Sequence, residues 1–146
     1  SVDSADAFSA AGVNIDAPAD ATDVSYYIIS GTLAGVQFTY DGEEYTYRAS
    51  AKDSNISGIY YELTAQCIVM VECDGFCVDA TVYAAEDKGK LVEWEHDGIH
   101  YALWHAGDTD DEKLTAALTG VMARTFNGER PRIRLSRFQQ GRRMRG

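Results

Sequence analysis

The sequence predicts an α+β domain: an antiparallel β-meander sheet of about seven strands packed by one C-terminal helix. Three Asp-Gly pairs set between alternating apolar runs carry the sheet, and one capped amphipathic segment near the chain's end carries the helix. Asp-Gly suits a two-residue type I′ turn because both central positions need positive φ. At 146 residues with 45% hydrophobic content, the chain suits one domain with a sizeable core.

The opening stretch, residues 1–11, is small, polar and acidic and reads as a flexible linker; the domain proper spans 12–128. Val24–Ser30 (VSYYIIS) is β-branched and aromatic, and Gly31-Thr32 leads from it into Leu33–Tyr40. With Asp41-Gly42 as the turn, Phe38 faces Tyr45 and Val36 faces Tyr47, while Thr39, Gln37, Glu44 and Thr46 fall on the other side. Residues 51–57 read as a loop, and Gly58–Thr64 as a strand.

Around Asp74-Gly75, Val71 faces Val78, Val69 faces Ala80 and Cys67 faces Val82. The register that would set Cys73 opposite Cys77 loses this apolar matching. Around Asp97-Gly98, Trp94 faces Tyr101 and Val92 faces Leu103, with Glu95 opposite His100 on the polar side. Trp104 falls on that polar side, so another element covers it or it meets solvent.

Thr109 to Glu112 fits a capping box, in which threonine and glutamate side chains satisfy free backbone N–H groups. Leu114, Ala117, Leu118, Val121 and Met122 then form a helical stripe, predicting a helix from about Asp110 to Phe126. It should cover the aromatic face of Phe38, Tyr45, Tyr47, Trp94 and Tyr101, which would otherwise form too large an exposed apolar patch.

Charge narrows the function classes. The net charge of −10 divides into +6 for residues 129–146, with seven arginines against Glu129, and −16 for residues 1–128. The acidic body repels nucleic-acid phosphates and anionic lipid. For the arginine-rich tail three readings stand: a basic arm, a strap over the acidic body, or sequence not native to the domain. No apolar run approaches the ~20 residues of a membrane helix.

Catalytic and metal motifs are absent from the pattern. There is no G-x-S-x-G, P-loop, dinucleotide-binding glycine motif or H-E-x-x-H. C-x5-C-x3-C lacks zinc-site spacing, and three cysteines leave at least one outside any intrachain pair. Glu93, Glu95 and His100 share a face, which reads as a solvated strand rather than a metal site. No catalytic residue, metal ligand or cofactor is therefore assigned.

The aromatics are more informative. In the adjacent pairs Tyr26-Tyr27 and Tyr60-Tyr61 one ring must point to each side of a sheet. Trp104, Tyr60 and Tyr26 are the candidate contact residues of an aromatic sheet face, since such rings bring large contact area at low entropic cost.

The stretch Leu91–Met122, LVEWEHDGIHYALWHAGDTDDEKLTAALTGVM, resembles the closing module of uncharacterised exported or lipoprotein β-rich domains of Gram-positive bacteria. The matching features are Trp94, Gly98, Tyr101, Leu103 and the helix from Asp110; Val36–Ser50 and Ile56–Glu62 are similar too. The resemblance implies an extracytoplasmic location, often with a lipid anchor upstream of Ser1, and carries no activity or site residues. The first expectation is a non-enzymatic exported or cell-surface module that binds a protein or glycan. The alternatives are an acidic inhibitor or mimic that binds basic proteins, and a hydrolase.

Overall fold

A computed structural model describes residues 4–52, 63–73, 76–85, 88–107, 111–125 and 132–137. Eight strands form one sheet, antiparallel throughout, followed in sequence by a helix before the last strand. They are β1 (Thr22–Ile29), β2 (Leu33–Tyr40), β3 (Glu43–Ser50), β4 (Thr64–Cys73), β5 (Phe76–Ala85), β6 (Gly89–His96), β7 (Ile99–Ala106) and β8 (Arg132–Arg137). Helix α1 spans Asp111–Thr125. A 3-10 helix, Ala5–Ala11, precedes them.

Local turn chemistry sets the hairpins. Asp41 and Gly42, and again Asp97 and Gly98, adopt φ values between 52° and 79°, as type I′ turns require. Their registers match the sequence expectation: Phe38 pairs with Tyr45, Val36 with Tyr47, Trp94 with Tyr101 and Val92 with Leu103. Val71 pairs with Val78 and Val69 with Ala80, so Cys73 stands opposite Phe76 and not Cys77. The turn at 74–75, most of the strand read over Gly58–Thr64, and the capping residues Thr109 and Asp110 lie outside the described residues.

The strand order is β1-β2-β3-β7-β6-β5-β4-β8. Two meanders, β1 to β3 and β4 to β7, therefore meet where β3 pairs with β7. That junction sets Tyr45 opposite His105, Tyr47 opposite Leu103 and Ala49 opposite Tyr101. The aromatic sides of both hairpins thus fall on one face. Arg132–Arg137 of the basic segment pairs along β4, so β8 and β1 are the two edges of the sheet.

One side of the sheet holds the main core. Val36, Phe38, Tyr45, Tyr47, Trp94, Tyr101 and Leu103 are buried there with Leu114, Ala117, Leu118, Val121 and Met122 of α1. The helix stripe and the aromatic face therefore cover each other as the pattern predicted.

The N-terminal segment departs from expectation. Residues 5–11 are not a free linker: Phe8 is fully buried in the core and meets the Tyr26 ring edge-on at 5.9 Å between centroids. Val13, Ile15 and Ala17 join it, and Pro18 rests so close to Gly120 of α1 that a Cβ there would lie 2.9 Å from the proline. Burying a phenylalanine and three aliphatic side chains outweighs the polar composition around them. Helix and N-terminal segment together cover the aromatic face.

Candidate functional site

Alternation along each strand leaves a second set of side chains on the sheet face opposite α1. The paired registers arrange this outer face in rows. Ser25, Gln37, Thr46, Trp104, Leu91 and Tyr83 lie side by side across β1, β2, β3, β7, β6 and β5. In the next row, Thr39 stands opposite Glu44. Between β1 and β7 these two rows enclose an open cleft of about 360 Å³, lined by Asp23, Ser25, Gln37, Glu44, Thr46 and Trp104 among others. Phe38 and Tyr45 border its floor, their rings being buried on the helix side.

Trp104 owes its place to a glycine. A Cβ on Gly89 would lie 2.7 Å from indole Cη2 and 2.8 Å from Cζ2, so the ring packs against a backbone that has no side chain there. It belongs to a small apolar cluster of Leu91 and Ala102 with Leu33, Leu63 and Tyr83. The polar cleft adjoins that cluster, with Trp104 common to both.

Asp23 reaches the cleft through a β-bulge. The β1–β2 register shifts between Thr22 and Ser25, and Asp23 takes a φ of 51°. Bulges at sheet edges re-aim side chains in this way. Opposite, Glu44 follows the Asp41-Gly42 turn and is exposed. Among the described residues the cleft therefore carries two carboxylates, one amide, three hydroxyls (Ser25, Thr39 and Thr46) and one indole, with no Lys or Arg in its lining.

The neighbouring row supplies the adjacent base. Tyr27 lies over Gly35, where a Cβ would collide with the phenol ring. Arg48 Nε donates to the Tyr27 hydroxyl at 2.9 Å, and its guanidinium sits 5.7 Å from the ring centroid. Glu93 lies further along this row, two strands beyond Arg48, and burial holds its carboxyl above the usual value against the lowering effect of His100.

Of the candidate contact residues, Trp104 and Tyr26 lie on opposite faces of the sheet. Trp104 is on the outer face. Tyr26 packs on the other side against Phe8, and its hydroxyl donates at 2.8 Å to Asp16 Oδ1, which also accepts the Ala17 N–H at 2.7 Å. Tyr26 thus ties the N-terminal segment to β1. Tyr60 lies outside the described residues.

A second polar cluster went unforeseen because it joins positions 62 residues apart. His105 is buried, and its Nε2 lies 2.7 Å from Glu43 Oε1; Lys113 Nζ lies 3.6 Å from Glu43 Oε2. The Tyr45 hydroxyl donates to the Lys113 carbonyl at 3.4 Å, and its ring lies 5.1 Å from that of His105. The hydrogen bond with His105, with Lys113 nearby, holds the Glu43 carboxyl below its usual value despite desolvation. The cluster fastens the start of α1 to the ends of β3 and β7. Among the described residues, His105 Nδ1 and Trp94 Nε1 are buried with no hydrogen-bond partner.

Among the described residues no group of three or more His, Cys, Asp or Glu side chains is placed to hold a metal ion. Among the same residues no helix is long and apolar enough to cross a membrane. No family model, curated protein or solved structure matches the chain.

Proposed function

We propose that the chain is a non-catalytic, exported or cell-surface module that holds a protein or glycan partner on the outer face of its sheet, with Trp104 as the aromatic contact. The observation that supports this reading is the cleft spanning β1, β2, β3 and β7, in which polar side chains lie beside one indole. Concave sites with a few convergent polar groups and an aromatic wall fit ligand recognition. The acidic surface of residues 1–128 suppresses nonspecific association with anionic polymers.

The test is a panel of immobilised surface glycans and purified extracellular proteins, read with the wild type, Trp104→Ala and Thr46→Arg. The arginine would fill the cleft without touching the core, so it guards against a folding defect in the tryptophan variant. Binding by the wild type that both substitutions abolish, with thermal unfolding of the arginine variant unchanged, supports the reading. Binding that survives both substitutions refutes it.

A further inference from the structure

The cleft's chemistry selects among partners. Resting on the proposed outer-face function, we infer that its ligand is a short glycan carrying free amino groups, a glucosamine-type oligosaccharide. Four adjacent strands span about 14 Å between the outer two, at ~4.8 Å per step, room for a short oligosaccharide lying across them. Trp104 offers an indole to the C–H face of a pyranose, while Gln37, Ser25, Thr39 and Thr46 offer an amide and hydroxyls to ring hydroxyl groups.

Asp23 and Glu44 decide the charge. Both are exposed, both line the cleft, and among the described residues no Lys or Arg lines it with them. Arg48, on the neighbouring row, is engaged with Tyr27. An anionic sugar would meet two carboxylates with no cation among the lining side chains, whereas an ammonium group gains a charge-assisted hydrogen bond from either one. A neutral sugar would use the indole and the hydroxyls and leave the carboxylates without a charged partner. The amide and hydroxyl lining favours a saccharide over a basic peptide, whose aliphatic stems need apolar walls.

Isothermal titration calorimetry with three oligosaccharide probes tests this: a β-1,4-linked glucosamine hexamer, its fully N-acetylated counterpart, and an oligogalacturonate. The glucosamine hexamer should bind, weaken as salt is raised, and lose about tenfold in affinity in Asp23→Asn/Glu44→Gln. Asp20→Asn/Asp97→Asn, which removes the same charge at exposed positions that do not line the cleft, should leave that affinity within about twofold. Trp104→Ala and Thr46→Arg should each abolish binding. If the N-acetylated hexamer binds as tightly as the amine, or both double variants weaken binding equally, the amine inference is overturned while the outer-face reading stands. Absence of binding to the glucosamine hexamer also overturns it, and the outer-face reading then depends on the broader panel.

Discussion

The two faces of the sheet use the same strands for different purposes. On the helix side, rings stack in a continuous layer: Phe38 on Tyr45 at 5.5 Å, Tyr47 on Trp94 at 5.9 Å, and Trp94 on Tyr101 at 5.2 Å between centroids. Helix α1 and the N-terminal segment close over it. On the outer side, Leu91 and Ala102 centre a small apolar cluster, and β1, β2, β3 and β7 present hydroxyls, an amide and carboxylates around the cleft. The main core is thus on one face, and the other presents polar side chains to the cleft. Neighbouring residues on one strand belong to different regimes.

Substitutions one position apart on β3 should expose this contrast most strongly. Tyr47 is fully buried between Trp94 and Tyr101, so Tyr47→Ala should lower the unfolding free energy by about 3–5 kcal/mol in chemical denaturation. Thr46→Arg, on the outer face, should change it by no more than about 0.5 kcal/mol. Comparable losses at both positions would mean that the outer face is covered as thoroughly as the inner one.

An intermediate effect is expected at Gly35. Its missing Cβ makes room for the Tyr27 ring, so Gly35→Ala must displace that ring and break the Arg48 contact, at a cost of about 1–3 kcal/mol. In Tyr27→Ala the same glycine substitution should cost much less, because nothing remains to displace. Additive costs in the double variant would show that Tyr27 does not occupy that space.

Much of this division follows from local chemistry. A two-residue turn fixes the register of a hairpin, and the register fixes which side chains share a face. Hence Phe38, Tyr47, Trp94 and Tyr101 could be placed together from sequence. What joins the hairpins is nonlocal. Pairing of β3 with β7 brings Thr46 beside Trp104 and Tyr45 beside His105, and no turn encodes either contact. The cleft and the Glu43–His105–Lys113 cluster both depend on that junction, so neither was legible. The N-terminal segment did carry a signal: Val13, Ile15 and Ala17 alternate with Asn14 and Asp16, a pattern hidden by the small polar residues before it. Tyr26 illustrates the converse, since a tyrosine pair cannot foresee that the half-buried ring would meet Phe8 and its hydroxyl Asp16.

Alkaline titration reports on the inner face with a smaller effect. Burial, aided by Asp97, pushes the Tyr101 phenol up to about 12 from 10.0. The unfolded chain releases that proton first, so stability should fall as pH rises from 10 toward 12. Tyr101→Phe should flatten that part of the stability profile. An unchanged slope would place the phenol in contact with water.

Two glutamates give the finest comparison, because their surroundings move them in opposite directions. The Glu43 carboxyl is held low by the hydrogen bond with His105, so its contribution is present above the unfolded value of 4.5 and is lost as pH falls through the folded value. Glu43→Gln should therefore cost stability at neutral pH and progressively less in acid. The Glu93 carboxyl is held high by burial, so its ionised form opposes folding once pH rises above 4.5. Glu93→Gln should then stabilise the protein at neutral pH, with the gain fading below pH 4.5. Denaturation midpoints of both variants, measured against wild type from pH 3 to pH 7, should diverge with opposite signs as pH rises. If both lose stability at neutral pH, Glu93 has a compensating partner on the outer face. If neither responds to pH, the Glu43–His105 contact contributes nothing to holding α1 against the sheet.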